Sequence, residues 1–150
     1  MPKTQPGDLP AQDPVSLWTL FLNTRGRIMG HVESELDDCE LPHVWFDVLH
    51  QLRQYGGKLR PTELAGLVML SKSGLTRLVD RMAAAKLVTR DDCNDDGRGA
   101  YVSITKAGRA ALTKALPRYR KALNAHFLNH LAPWEQRAFA DILLKLNSPR

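Results

Sequence analysis

Two cysteines in 150 residues, Cys39 and Cys93, form neither a CxxC pair nor a disulfide framework, so a reduced cytosolic setting is expected. No run approaches the roughly 18 to 20 consecutive apolar residues that a bilayer crossing needs, and no membrane partner is expected. The opening MPKTQPGDLPAQDP lacks the apolar core of a secretory signal. Aromatic residues are scarce at 7%, and the polar face of 71–81 has none, which leaves no stacking platform for RNA. GxSxG, HExxH, P-loop and GxGxxG patterns are absent, and the histidines have no evident Cys or Ser partner. No catalytic residue, metal or cofactor is therefore expected. What remains is ordinary globular matter: 43% hydrophobic and 25% charged residues exclude wholesale disorder. The length suits one domain or one subunit of a small oligomer. A net charge of +5 points to a polyanion only if it is concentrated somewhere.

Residues 1–13, with Pro2, Pro6, Gly7 and Pro10, show no periodicity and read as a flexible arm. From Pro14 a helical stripe runs through Leu17, Trp18, Phe21, Ile28, Val32 and Leu36. Asp13 is its expected N-cap, and Pro42 should end it near Asp38. A second helix should turn Trp45, Val48, Leu49 and Leu52 inward and stop at Gly56-Gly57. Two short helices follow, one opened by Pro61 with Leu64, Ala65 and Val68 inward, the other capped by Ser71 with Leu75, Leu78, Val79 and Met82 inward. Two such helices joined by three or four residues make a helix-turn-helix. Residues 87–89 and 100–104 read as two strands around a polar connection, hence a wing. A long helix from Lys106 reaches Leu131, with a kink or one-turn break at Pro117. A last helix from Pro133 should bury Trp134, Phe139, Ile142, Leu143 and Leu146. The fold class is mainly α, about six helices with a two- to three-stranded β-wing.

This order of elements resembles the MarR family of bacterial winged helix-turn-helix transcription regulators. The likeness covers residues 14–147 and rests on three stretches: LRPTELAGLVMLSKSGLTRLVDRMAAAKLVTR (59–90), DDGRGAYVSITKAGRAAL (95–112) and FDVLHQL (46–52). Three positions depart from the family pattern. Arg60 and Ala132 stand where a capping hydroxyl is usual, and Gly74 interrupts the recognition helix at a cost of about 1 kcal/mol relative to Ala. The resemblance implies a DNA-binding lobe at 43–106, with 14–38 and 107–147 as dimerisation helices. It also implies a homodimer on a pseudo-palindromic double-stranded operator, most simply as a repressor.

Ser71, Lys72, Ser73, Thr76 and Arg77 fall in the half of the recognition helix that meets DNA. Arg77 is the base-reading candidate, because a guanidinium forks onto guanine; the hydroxyls and Lys72 suit phosphates. Arg60 adds a phosphate contact, and Arg81 either joins the set or pairs with Asp80 or a wing acid. Asp96 and Arg98 match the family's wing motif, which implies an arginine in the minor groove oriented by the aspartate. A solvated helix face and an ordinary polar hairpin are the competing readings. Trp18, Phe21, Leu123, Phe127, Trp134, Phe139 and Leu143 are dimer-interface candidates, because their stripes exceed what one winged core can cover.

For a possible small-molecule effector, the resemblance draws attention to Arg27, His31, Trp45, Phe46, Asp47 and His50. This mix of rings and cations suits an aromatic or phenolic ligand, although Trp45 and Phe46 serve equally as plain core. A urate-responsive branch of the family would instead use Asp47, Arg77 and Arg90, but its first-helix tryptophan does not align with Trp18. His126/His130 and His31/Glu35 have the four-residue spacing of helical metal ligands. Cys39 and Cys93 sit beside acids that disfavour a reactive thiolate. Metal or redox control, or a DNA-organising protein without effector, are the alternatives. The charge is unevenly spread: Lys58 to Arg109 holds ten basic and six acidic residues, while 30–47 holds six acids and no Lys or Arg. A basic lobe of this kind fits duplex DNA.

Overall fold

The computed structural model describes residues 13–36, 40–91 and 100–148. The N-terminal arm through residue 12, both cysteines, Asp96 and Arg98 lie outside the described residues. Helix α1 spans Pro14–Leu36 and α2 His43–Gln54. After them come strand β1 at Lys58–Leu59, α3 at Pro61–Leu67 and α4 at Lys72–Ala84. Strands β2 (Val88–Asp91) and β3 (Tyr101–Ile104) precede α5 (Lys106–His126) and α6 (Pro133–Asn147). Among the described residues no helix is long and apolar enough to cross a membrane.

The chain divides into two units, residues 36–120 and, among the described residues, 13–35 with 121–148. The division falls inside α5 rather than ahead of it. Leu112 is fully buried in the core of the first unit, and Ala115, Leu116 and Tyr119 pack on that core. The same core takes Val48, Leu49 and Leu52 from α2, Leu64 and Ala65 from α3, and Leu75, Leu78, Val79 and Met82 from α4. Burying such a side chain contributes about 1.5–3 kcal/mol, so the helical stripes are what assemble this unit. In α2 the aromatic that enters the core is Phe46, 3% exposed, and Trp45 lies half-buried against it. The expected inward residues Val48, Leu49 and Leu52 are thus in place, and Phe46 joins them more deeply than Trp45.

The sheet is antiparallel with order β1-β3-β2. Val88 pairs with Ile104 and Asp91 with Tyr101, which makes β2 and β3 the expected hairpin. The third strand, β1, is two residues long and has too little pattern to stand out in the sequence. Gly56 and Gly57, at φ of 80° and 99°, turn the chain from α2 into it.

Caps set the helix starts. The Asp13 carboxylate accepts from the Ser16 backbone N–H at 2.9 Å and also from its hydroxyl. These bonds, the hydroxyl foremost, hold its pKa below the usual value. Where a capping hydroxyl is missing at Arg60 and Ala132, the helix start is closed from the other side. Glu63 accepts from the Arg60 N–H at 3.0 Å and Glu135 from the Ala132 N–H at 2.7 Å, with Pro61 and Pro133 each at the first helical position. Helix α5 runs through Pro117 without a break. It ends at His126, short of the expected Leu131, and a 3-10 turn at Leu128–His130 leads into α6.

The last helix departs most from expectation. None of its residues is fully buried: Trp134 is 64% exposed, Ile142 55% and Leu146 76%, while Phe139 and Leu143 are half-buried. Among the described residues, nothing fully covers that face.

Candidate nucleic-acid interface

The α3–α4 pair is joined by Val68, Met69, Leu70 and Ser71, the four-residue turn of a helix-turn-helix. Met69 adopts the left-handed conformation at φ 55°, and the Leu70 N–H bonds the Ala65 carbonyl at 3.0 Å to close α3. Ser71 then caps α4 by accepting from the Gly74 N–H at 3.1 Å. A Cβ at position 74 would stand 3.0 Å from that capping oxygen. The glycine therefore relieves crowding at the cap, a local reason for a residue that costs helix propensity.

Beyond the cap, the apolar stripe of α4 faces the core and leaves Lys72, Ser73, Thr76, Arg77 and Arg81 exposed, as expected. Ser73, Arg77 and Arg81 recur every fourth residue and share one face about 12 Å long. All three hydroxyls are engaged locally: Ser71 Oγ as the cap and with Ser73 Oγ at 3.3 Å, and Thr76 Oγ1 donating to the Lys72 carbonyl at 3.0 Å. Lys72, Arg77 and Arg81 carry the outward charge. Asp80 accepts from Arg90 Nη1 at 3.0 Å, so the ion pair on this helix ties α4 to β2 rather than to Arg81. The same bond occupies Arg90, and Asp47 lies 3.5 Å from His43 Nε2 within α2.

The wing is anchored at its root through Thr105. Its hydroxyl donates to the Lys86 carbonyl at 2.7 Å and accepts from the Gly108 N–H at 3.0 Å, which joins β3 to the start of α5. Gly108 is required there, since a Cβ would meet the Leu87 carbonyl at 2.1 Å. The Thr-Lys-Ala-Gly string at 105–108 is the sequence signal for this joint, and helical periodicity alone does not reveal it.

The effector candidates are distributed over both units. Phe46 belongs to the lobe's core, stacked on Tyr119 with centroids 4.0 Å apart and on His50 at 5.8 Å. Burial pushes the His50 pKa down, and the Arg53 charge adds to it. Trp45 and Asp47 are half-buried on the same helix. Arg27 and His31 instead line a groove of about 920 Å³ formed within the terminal-helix unit. Five interface candidates, Phe21, Leu123, Phe127, Phe139 and Leu143, line it too, and Phe127 meets Phe139 edge to face at 5.6 Å. Trp18 is 60% exposed and tilts against Phe21 at 5.9 Å.

His126 pairs with Glu35 and stacks on His31 at 4.9 Å, contacts that spacing alone did not reveal. His130 lies in the 3-10 turn, so the helical register that would align it with His126 is broken. Among the described residues no group of three or more His, Cys, Asp or Glu is placed to hold a metal ion.

Comparison with known proteins agrees with this geometry. The model of the MarR family matches residues 40–99. An uncharacterized HTH-type transcriptional regulator of Bacillus cereus (strain ZK / E33L) is 30% identical over 108 residues, 72% of this chain and 71% of that protein. Among solved structures, AbsC, a MarR family transcriptional regulator from Streptomyces coelicolor, superimposes with a TM-score of 0.74. It is 27% identical over 87% of this chain and 88% of that one. A second MarR family regulator from that organism, solved in complex with DNA, gives a TM-score of 0.75. The identity is 26%, over 92% and 90% of the two chains.

Proposed function

The chain belongs to the MarR family of transcriptional regulators, and from that premise we propose that it is a repressor that binds a pseudo-palindromic operator as a homodimer and is released by a small aromatic or phenolic ligand. The observation that carries the reading is the exposed face of α4, where Ser73, Arg77 and Arg81 stand in register above a buried apolar stripe. In this reading Arg77 forks onto a guanine. Lys72, Ser71, Ser73, Thr76 and Arg60 hold phosphates and set the register. Arg81 extends the contact, and Arg98, oriented by Asp96, enters the minor groove. The relative solved in complex with DNA supports a duplex as the partner.

Dimerisation draws support from the terminal-helix unit, where Trp18, Phe21, Leu123, Phe127, Trp134, Phe139 and Leu143 leave an apolar face that one chain does not cover. One recognition helix reads too few base pairs for useful specificity, and two-fold symmetry supplies the second. Effector candidates lie within each unit separately: Arg27 and His31 line the groove of the terminal-helix unit, and Trp45, Asp47 and His50 stand on α2 around the buried Phe46.

Selection of bound fragments from a random-sequence duplex pool tests the proposal. Enriched fragments should contain inverted half-sites whose centres lie about one helical turn, roughly 10 base pairs, apart. Enrichment of single, asymmetric sites would overturn the dimeric reading, and no enrichment would overturn sequence-specific binding.

A further inference from the structure

The outer face of the small sheet holds a group of side chains that neither α4 nor the hairpin tip accounts for. In the antiparallel register Lys58 lies opposite Ser103 and Leu59 opposite Val102. Leu59 and Val102 enter the core, so Lys58, Tyr101 and Ser103 take the opposite face. Arg60, one residue beyond β1, returns to the face of Lys58. Both cations sit over one ring: Lys58 Nζ is 5.2 Å from the Tyr101 centroid and Arg60 Cζ 5.7 Å. The ring quadrupole attracts each of them and offsets part of their mutual repulsion. The Tyr101 side chain beside it also raises the already high pKa of the Arg60 guanidinium.

Lys58 and Arg60 are exposed and Tyr101 is half-buried, so the ring is a fixed platform and the charges are presented to solvent. Among the described residues, two neighbouring acids are engaged elsewhere: Glu63 accepts from the Arg60 backbone N–H at 3.0 Å, and Asp91 accepts from Ser103 Oγ at 3.5 Å. A lysine on an edge strand also discourages strand-to-strand pairing, but that purpose does not require an aromatic ring shared by two cations. Two positive charges held at a fixed spacing suit a backbone of evenly spaced phosphates, where ordering them in advance reduces the entropy lost on binding.

Resting on the regulator reading above, we propose that Tyr101 is a positioning residue that holds Lys58 and Arg60 as a two-cation clamp on the phosphate backbone of the bound duplex. The clamp carries no sequence information; it adds to affinity and to salt sensitivity and leaves base discrimination to α4.

The salt dependence of binding to a mixed-sequence duplex, read by fluorescence anisotropy, tests the clamp. Each neutralised phosphate contributes about 0.9 to the slope of log K against log salt. Lys58→Gln and Arg60→Gln should therefore each lower the magnitude of the slope by about one. Tyr101→Leu should lower it although both cations remain, whereas Tyr101→Phe, which keeps the ring, should restore most of it. Added to Lys58→Gln/Arg60→Gln, Tyr101→Leu should change nothing more. A wild-type slope in Tyr101→Leu overturns the positioning role. Wild-type slopes in both glutamine variants, which substitute exposed side chains and leave the core intact, overturn the clamp. A wild-type protein that binds no duplex overturns the regulator reading and the clamp together.

Discussion

Single atoms decide several positions in this chain. Gly108 is the sharpest case, because any side chain there would run into the Leu87 carbonyl at 2.1 Å and break the joint between hairpin and α5. Gly108→Ala should therefore destabilise the protein by about 3 kcal/mol, the range of an overpacked site, and lower the melting temperature accordingly. Gly66, also helical, has nothing within 4 Å of where a Cβ would stand. Gly66→Ala should raise stability by up to about 1 kcal/mol. A calorimetric melt that ranked the two variants the other way would contradict the placement of the α5 start.

His50 acts through its charge. Burial disfavours its protonated form, so its folded pKa lies below the ordinary 6.5. Between those two values the unfolded chain binds more protons than the folded one, and stability rises with pH. The contribution is complete above about 6.5 and is lost as pH falls through the window beneath it. His50→Gln should flatten that segment of the stability–pH curve, measured by urea denaturation at several pH values. An unchanged slope would show that other groups are responsible.

Among the elements, α4 combines a cap, a buried stripe and a polar face. Ser71→Ala removes the bond to the Gly74 N–H and should cost about 1 kcal/mol of stability. It should also weaken duplex binding, since the frayed turn carries Lys72 and Ser73. Reduced stability with undiminished binding would move the DNA-facing surface away from the first turn. Asp80→Asn breaks an exposed pair and should cost no more than about 1 kcal/mol by the same denaturation assay.

The helices were legible because their stripes repeat every three or four residues over several turns, and Ser71, Pro61 and Asp13 marked their starts. Strand β1 was not, since two residues carry no period. Tyr101 was readable as a strand residue but not as the platform for Lys58 and Arg60, because that arrangement depends on a register between segments more than 40 residues apart. The Glu35–His126 pair and the His31–His126 stack escaped for the same reason. The exposure of α6 has another cause. Its apolar pattern is real, but the pattern reports that a face must be covered, not which chain covers it.

At the scale of the whole molecule, the modest charge surplus resolves into a basic lobe and an acidic stretch, and the apolar surplus into a face left open by one chain. Phe139→Glu places a charge in the groove of the terminal-helix unit. It should yield a monomer by sizing with light scattering while the core of residues 36–120 keeps its helical circular dichroism. A variant that stayed dimeric would relocate the interface. The central claim is that α4 reads sequence. Its most direct test is one anisotropy titration, of wild type and Arg77→Ala, against a selected operator and a base-scrambled duplex at the same salt. Wild type should prefer the operator by about a thousandfold or more. Arg77→Ala should lose about 1–3 kcal/mol of that preference for each guanine it reads while binding the scrambled duplex almost as before. Equal wild-type affinity for both duplexes, or full discrimination in Arg77→Ala, would contradict it.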